Sequence, residues 1–324
     1  MSTDFFSQPW WLDAVAPGHW GEAVVEGDGN RRAELRYTHW RERFGFVRVG
    51  VGPLSARMGP TFFLEEGKLA TRLSRENQLT AELVAMLPRY DYLSLMFPAR
   101  IVNGLPFHWL GFQQTTRYSY VIEPNGNDRI FAEMSEEARR AIRKAAKSLT
   151  VIDGEASALM PLVRSTLARS RARLRYDESQ LAAGLAAGRA RECASLRLAV
   201  GADGSRHAGA LFVWDDERVY YLVGGSDATH RGSGAASLVL WDGIQLASSL
   251  GLRFDFEGSM IEPIEKFFRG FGGSPEPYLH ITNYSRRLAA AISARDALAA
   301  LRGNRPSDRA RRGSPSDPGA GPAS

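Results

Sequence analysis

Residues 218–250 read RVYYLVGGSDATHRGSGAASLVLWDGIQLASSL, and their order decides the fold. Arg218 to Val223 is an apolar and aromatic run of strand length, which Gly224-Gly225 ends. Ala235 to Leu250 then places Leu238, Trp241, Ile244, Ala247 and Leu250 on one side and Asp242, Gln245 and Ser249 on the other, which predicts a helix stopped by Gly251. Between strand and helix lies Arg231-Gly232-Ser233-Gly234-Ala235-Ala236. Such a loop offers backbone N–H groups and the positive end of a helix to a phosphate, although a plain glycine-rich turn before a helix has the same sequence.

Working outward, Leu196–Val200 and Ala208–Trp214 also read as strands, with Asp215-Asp216-Glu217 as a hairpin connection into the strand at Arg218. Downstream come a short strand at Arg253 to Glu257, a helical segment around Ile264 to Phe268, and a last strand at Tyr278 to Thr282. In the first 125 residues, Glu22–Val25, Phe44–Val51, Tyr92–Phe97 and Tyr118–Ile122 read as strands. Asn77 to Leu87 reads as a helix closed by Pro88. After a turn-rich break at Pro124 to Asp128, a helix is expected over Glu136 to Ser148, with Ser135 as N-cap and two glutamates at the positive end of its dipole. The expected fold class is therefore α/β (α+β), with mixed sheets flanked by helices. At roughly 100–200 residues per domain, 324 residues make two domains, expected at 1–149 and 150–290.

The formal charge is +5, but Arg302 to Ser324 contains five Arg and two Asp and supplies +3 of it. That segment, 302–324, is rich in Pro, Gly and Ser and is expected to be a disordered basic tail. Two local clusters are more informative. On the helix at 136–148, Arg139, Arg143 and Lys147 repeat at i+4, flanked by Arg140 and Lys144; like charges at that spacing disfavour a helix unless a polyanion offsets them. Arg164, Arg169, Arg171, Arg173 and Arg175 lie in a stretch with no acidic residue between Glu155 and Asp177. Both suit phosphate contacts, and neither is interleaved with aromatics as a base-stacking platform is.

Two further stretches carry chemistry. In Phe254-Asp255-Phe256-Glu257-Gly258-Ser259 the aromatics alternate with carboxylates, so Asp255 and Glu257 can take a proton from an attacking amine or bind it as a cation; an Asp255–Arg253 pair is the structural alternative. Glu265-Lys266-Phe267-Phe268-Arg269-Gly270-Phe271-Gly272-Gly273 combines aromatics that can stack on a base with cations that can stabilise an oxyanion. An amphipathic core helix with a glycine stop is its alternative reading. The six histidines and the lone Cys193 show no metal-ligand spacing, and no nucleophile elbow, Walker loop or dinucleotide fingerprint is present. No metal or resident cofactor is expected. Met1 to Phe6 does not read as a signal peptide and no apolar run approaches ~20 residues, so the expected location is cytoplasmic with no membrane span.

Taken together, Tyr220-Tyr221-Leu222-Val223-Gly224-Gly225-Ser226, the helix through Trp241 and Ile244, Asp255 to Ser259 and Phe267 to Gly273 resemble the FemABX-like branch of the GNAT superfamily. The Arg231 loop is similar to the one with which GNAT acetyltransferases hold the pyrophosphate of coenzyme A. Pro106-Phe107-His108-Trp109-Leu110-Gly111-Phe112, Tyr118 to Ile122 and the Arg139 to Ala145 helix resemble the first domain of such proteins. The resemblance implies two tandem GNAT-like domains and transfer of an amino acid from aminoacyl-tRNA to an amine of a peptidoglycan precursor or peptide-like natural product. It implies that Phe267 or Phe268 receives the tRNA terminus, with Arg231, Gly232, Gly234, Arg139, Arg143 and Lys144 on the donor phosphates. In the family pattern a Phe-Lys pair precedes Phe-Gly; here Phe268 stands at the Lys position, so Lys266 or Arg269 is left to steady the transferring carbonyl. Asp255 or Glu257 would manage the amine proton, and Tyr220 and Tyr221 are placed on the acceptor side. Charged tRNA is the implied co-substrate, and a coenzyme A thioester is the alternative donor.

Overall fold

The computed structural model describes residues 4–170, 174–258 and 260–301, so Arg171, Arg173 and the expected tail at 302–324 lie outside the described residues. The chain opens with α1 (Pro9–Val15), β1 (Trp20–Gly27), β2 (Asn30–Arg41), β3 (Val47–Gly50), β4 (Thr61–Phe62) and α2 (Leu69–Met86). β5 (Tyr92–Met96), α3 (Leu105–Trp109), β6 (Gln113–Ile122), α4 (Asn127–Glu133), α5 (Glu136–Ala145) and β7 (Leu149–Asp153) follow. Then come α6 (Ala156–Ser170), α7 (Glu178–Arg189), β8 (Ala194–Gly201), β9 (Arg206–Trp214) and β10 (Arg218–Ser226). The last elements are α8 (Ala235–Leu250), β11 (Arg253–Asp255), α9 (Glu262–Arg269), β12 (Ser274–Tyr284) and α10 (Arg286–Leu301).

The strands form one mixed sheet in the order β1-β2-β3-β5-β12-β6-β11-β10-β9-β8-β7, with β4 beside β2. Each half contains one parallel pair, β3 with β5 and β10 with β11, among antiparallel neighbours. The sheet runs unbroken across the expected boundary at 149. β6 pairs with β11, and β12 crosses back to lie between β5 and β6. The first residues also join the later half: Trp11 is fully buried, and a Cβ on Gly184 of α7 would stand 3.2 Å from its indole ring.

Local sequence explains where the elements stop. Gly234 and Gly251, both at positive φ, bracket α8 at the limits its periodicity predicts. Ser135 caps α5 by accepting from Ala138 N at 3.2 Å. α5 ends at Ala145 rather than Ser148, and the chain enters β7 four residues later. α2 starts at Leu69, well before the expected Asn77; Leu69 and Leu73 there are exposed, so its first turns carry no apolar stripe. The expected strand Phe44–Val51 is broken, because Phe44 sits exposed at φ 64 and only Val47–Gly50 pairs.

Two apolar layers cover the middle of the sheet. Phe254, Phe256, Tyr221, Phe268 and Phe271 form a core with side chains of α4, α5 and α8 on one face. On the other, Phe5, Phe6, Trp11, Leu159, Leu181 and Tyr220 pack together beneath α1, α6 and α7. No helix among the described residues is long and apolar enough to cross a membrane.

Candidate active site

β10 and β11 run parallel over Arg218↔Arg253, Val219↔Phe254 and Tyr220↔Asp255, and there β11 ends while β10 continues to Ser226. At the parting the ladder between β10 and β9 shifts register between Tyr221 and Val223. Beyond Tyr220, β10 therefore has backbone groups that β11 does not claim. A crevice at the carboxyl ends of parallel strands is where open α/β sheets bind ligands.

Asp255 and Glu257 stand at this parting, in contrasting environments. Asp255 is fully buried and accepts Arg57 Nη1 at 2.9 Å, Arg57 Nη2 at 3.1 Å, Arg218 Nη1 at 2.9 Å, the Ser119 hydroxyl and the Glu257 amide at 2.9 Å. Burial by itself raises a carboxyl pKa, but Arg57, Arg218 and the hydrogen bonds outweigh it and hold Asp255 at about 2. It is an anion with every lone pair in use. The alternative Asp255–Arg253 pair does not form, since Arg253 reaches Glu123 at 2.6 Å and Glu276 at 3.5 Å.

Glu257 lies past the end of the strand at φ 59, followed by Gly258 at φ 73. A side chain at 258 would meet Tyr118 O at 2.2 Å, so this turn requires glycine. A glutamate in the left-handed region is a strained residue of the kind that clusters at functional sites. Its Oε2 is 3.7 Å from Arg57 Nη2, and its buried Oε1 has no hydrogen-bond partner among the described residues. Burial, reinforced by the Asp255 charge and only partly offset by Arg57, pushes its pKa up to about 8. One carboxyl is thus locked ionised, and its neighbour is set to exchange a proton near neutrality.

Arg57, on the segment between β3 and β4, carried no sequence signal. Arg218 Nη1 also reaches Glu276 of β12 at 2.7 Å. Tyr278 lies under the Arg57 guanidinium at 4.7 Å. Together these side chains bring both halves of the chain to one buried cluster.

Several expected site residues sit elsewhere. Tyr220 and Tyr221 are buried on opposite faces; Tyr220 donates to Asp215 at 2.7 Å and packs on Phe5 and Phe6, while Tyr221 meets Phe268 edge to face. Phe268 is fully buried between Phe256 and Tyr221, which leaves half-buried Phe267, edge-on to Phe271, as the aromatic that α9 can offer. Lys266 and Arg269 are exposed on α9, and Arg269 is held by Glu265 at 2.9 Å. Phe268 of α9 packs on the Phe254 face, whereas Asp255 faces the other way, so the structure does not gather these cations around the buried carboxylates.

The Arg231 loop opens to solvent at Gly232, where φ is 80 and a Cβ would meet nothing within 4 Å. Gly234 is different: at φ 83, its Cβ would fall 2.4 Å from Ala141 O of α5. Helix α5 is thereby seated against the loop, and Lys144 Nζ donates to Gly232 O at 2.6 Å. Arg140, Arg143, Lys144 and Lys147 are exposed and Arg139 half-buried, with no acidic partner for any of the five among the described residues. From the second cluster, Arg169 is pinned to the end of β10 through Ser226 O at 3.0 Å and Ser226 Oγ at 2.9 Å, while Arg164 and Arg175 are exposed. Among the described residues no three His, Cys, Asp or Glu side chains are grouped to hold a metal.

Residues 132–267 match the acetyltransferase (GNAT) domain family. No curated protein matches the chain. Among solved structures the fold is similar to FemX, with TM-score 0.64 at 13% identity over 89% of this chain and 94% of that one. It is also similar to the C-terminal domain of a protein from Agrobacterium fabrum described as a lysylphosphatidylglycerol synthetase, with TM-score 0.54 at 14% identity over 90% and 91% of the two chains. A tandem GNAT protein from the clavulanic acid biosynthesis pathway gives TM-score 0.50 at 11% identity over 85% and 86%. The chain therefore carries a match to the acetyltransferase (GNAT) domain family over residues 132–267 and has a fold similar to that of FemX over nearly its whole length.

Proposed function

We propose that the chain is an N-aminoacyltransferase that takes an amino acid from aminoacyl-tRNA and forms an amide with the amine of a peptide-like acceptor. The carrying observation is the continuity of the phosphate loop with the cations of α5, which have no acidic partner among the described residues, joined by Lys144 Nζ to Gly232 O. A pyrophosphate fills the loop alone, whereas the acceptor end of a tRNA presents a run of phosphates to match the whole face. Phe267, half-buried on α9, is the aromatic assigned to the terminal adenosine.

In this reading the acceptor amine donates to Glu257 Oε1, a buried oxygen with no hydrogen-bond partner among the described residues. Glu257 takes its proton as the nitrogen attacks the ester carbonyl; the C–N bond forms, the C–O bond breaks, and the proton passes to the departing ribose oxygen. Backbone N–H groups of β10 beyond the parting are assigned to the developing oxyanion. Lys266 and Arg269 on α9 are then donor-side cations rather than partners of Glu257. An acyl-CoA donor is the second reading, favoured by the open Gly232 turn at the N-terminus of α8.

A transfer assay with charged tRNA tests the proposal. The expected result is product formation that falls steeply with salt; salt-insensitive transfer from acyl-CoA, with none from charged tRNA, overturns it.

A further inference from the structure

The segment carrying Arg57 comes from the first half of the chain and is fixed on both sides. Trp11 Nε1 donates to Leu54 O at 3.1 Å, and Met58 N donates to Met96 O at 2.7 Å, extending the end of β5. The guanidinium between these anchors is buried, stands over the Tyr278 ring at 4.7 Å, and grips Asp255 with both terminal nitrogens. One of those nitrogens also faces Glu257 at 3.7 Å, beyond hydrogen-bond length. A fork is the geometry that arginine supplies and lysine does not.

We infer that Arg57 is the positioning residue of the transfer site: its two-pronged bond to Asp255 sets the angle of the β11 terminus and holds Glu257 beside a fixed positive charge with one oxygen free. This deepens the reading of Glu257 as proton acceptor and rests on it. A residue of the first half thus completes a site whose carboxylates belong to the second. The groups that face Glu257 are Asp255 from β11, Arg218 and Tyr220 from β10, Asp215 from the β9–β10 turn, Tyr278 from β12 and Arg57 itself. Arg57 and Arg218 are the cations of that set, so loss of Arg57 leaves Glu257 facing Asp255 with half of its positive surroundings removed.

The experiment follows the Glu257 carboxyl directly, by ¹³C NMR of protein labelled at glutamate Cδ, with the signal assigned by its disappearance in E257Q. R57Q is expected to move the Glu257 titration upward by about 1 pH unit or more, the effect of removing an opposite charge within roughly 4–6 Å of a carboxylate. R57K, which keeps the charge and loses the fork, is expected to fall between wild type and R57Q, and carries the test if R57Q does not fold. The acidic limb of the kcat profile is expected to move in the same order. An unchanged titration in folded R57K or R57Q overturns the inference. A titration that moves while the kcat limb stays fixed supports the positioning role and removes Glu257 from proton transfer, which separates the two claims.

Discussion

Around Asp255, two guanidinium groups and two carboxylates are buried together, and most of their polar atoms have a partner. Along α5 and just past its end, four exposed cations and half-buried Arg139 have no acidic partner among the described residues. The first arrangement is expensive to assemble and intolerant of single deletions, because removing one member strands its partner in a low-dielectric setting. The second contributes little to folding and remains available to an external polyanion. Charge in the cluster fixes protonation and geometry, and charge on the helix fixes affinity.

The sharpest test separates Glu257 from its neighbour. E257Q is expected to keep the fold and lose about 10²- to 10⁴-fold in kcat, the usual contribution of a positioned base. Its stability should also lose a pH dependence. The folded pKa of Glu257 is raised from 4.5 to about 8, so its contribution is unimpaired below its unfolded value and is lost as pH rises through about 8. Thermal melts of wild type should therefore weaken between those limits, with a shallower decline in E257Q. D255N should do the reverse, costing about 3–5 kcal/mol in denaturant unfolding by leaving Arg57 and Arg218 short of their anion. A D255N protein as stable as wild type would show that the buried network is not what secures the junction.

On the exposed side, R140A/R143A/K144A/K147A is expected to leave the melting temperature within a few degrees and reduce the salt slope of tRNA binding by about 3, at roughly 0.7–0.9 per lost phosphate contact. An unchanged slope would remove α5 from the donor site. The smallest expected contrast lies within the loop. G232A should cost about 1 kcal/mol for its left-handed backbone, while G234A should cost more, because its methyl group also displaces α5. Loss of activity in G234A therefore reports helix seating as well as phosphate binding, and G232A is the cleaner probe of the loop.

Much of the later half was legible because local chemistry and tertiary structure agree there. Ala235 to Leu250 is helical within its two glycines, and the Asp215 to Glu217 connection joins antiparallel β9 and β10 as its sequence suggests. β2 escaped notice because Asn30–Arg41 carries charges at Arg31, Arg32, Glu34 and Arg36, several of which pair with one another on the sheet. Asp255 and Glu257 were identifiable as carboxylates of one short stretch. Their division of labour was not, since it depends on Arg57, 198 residues before Asp255 in the chain. Tyr220, Tyr221 and Phe268 are all buried: aromatic side chains in this segment build the two cores, and sequence alone does not say which ring reaches the surface.

The return of β12 into the first half has a consequence for how the chain is made. β5 and β6 are not hydrogen-bonded to each other; each waits for the strand at Ser274–Tyr284. During synthesis the first half therefore leaves the ribosome as two open-edged fragments that cannot close until nearly three hundred residues are out. Completing the sheet is thus a late event, and until then those edges are open to pairing with other chains.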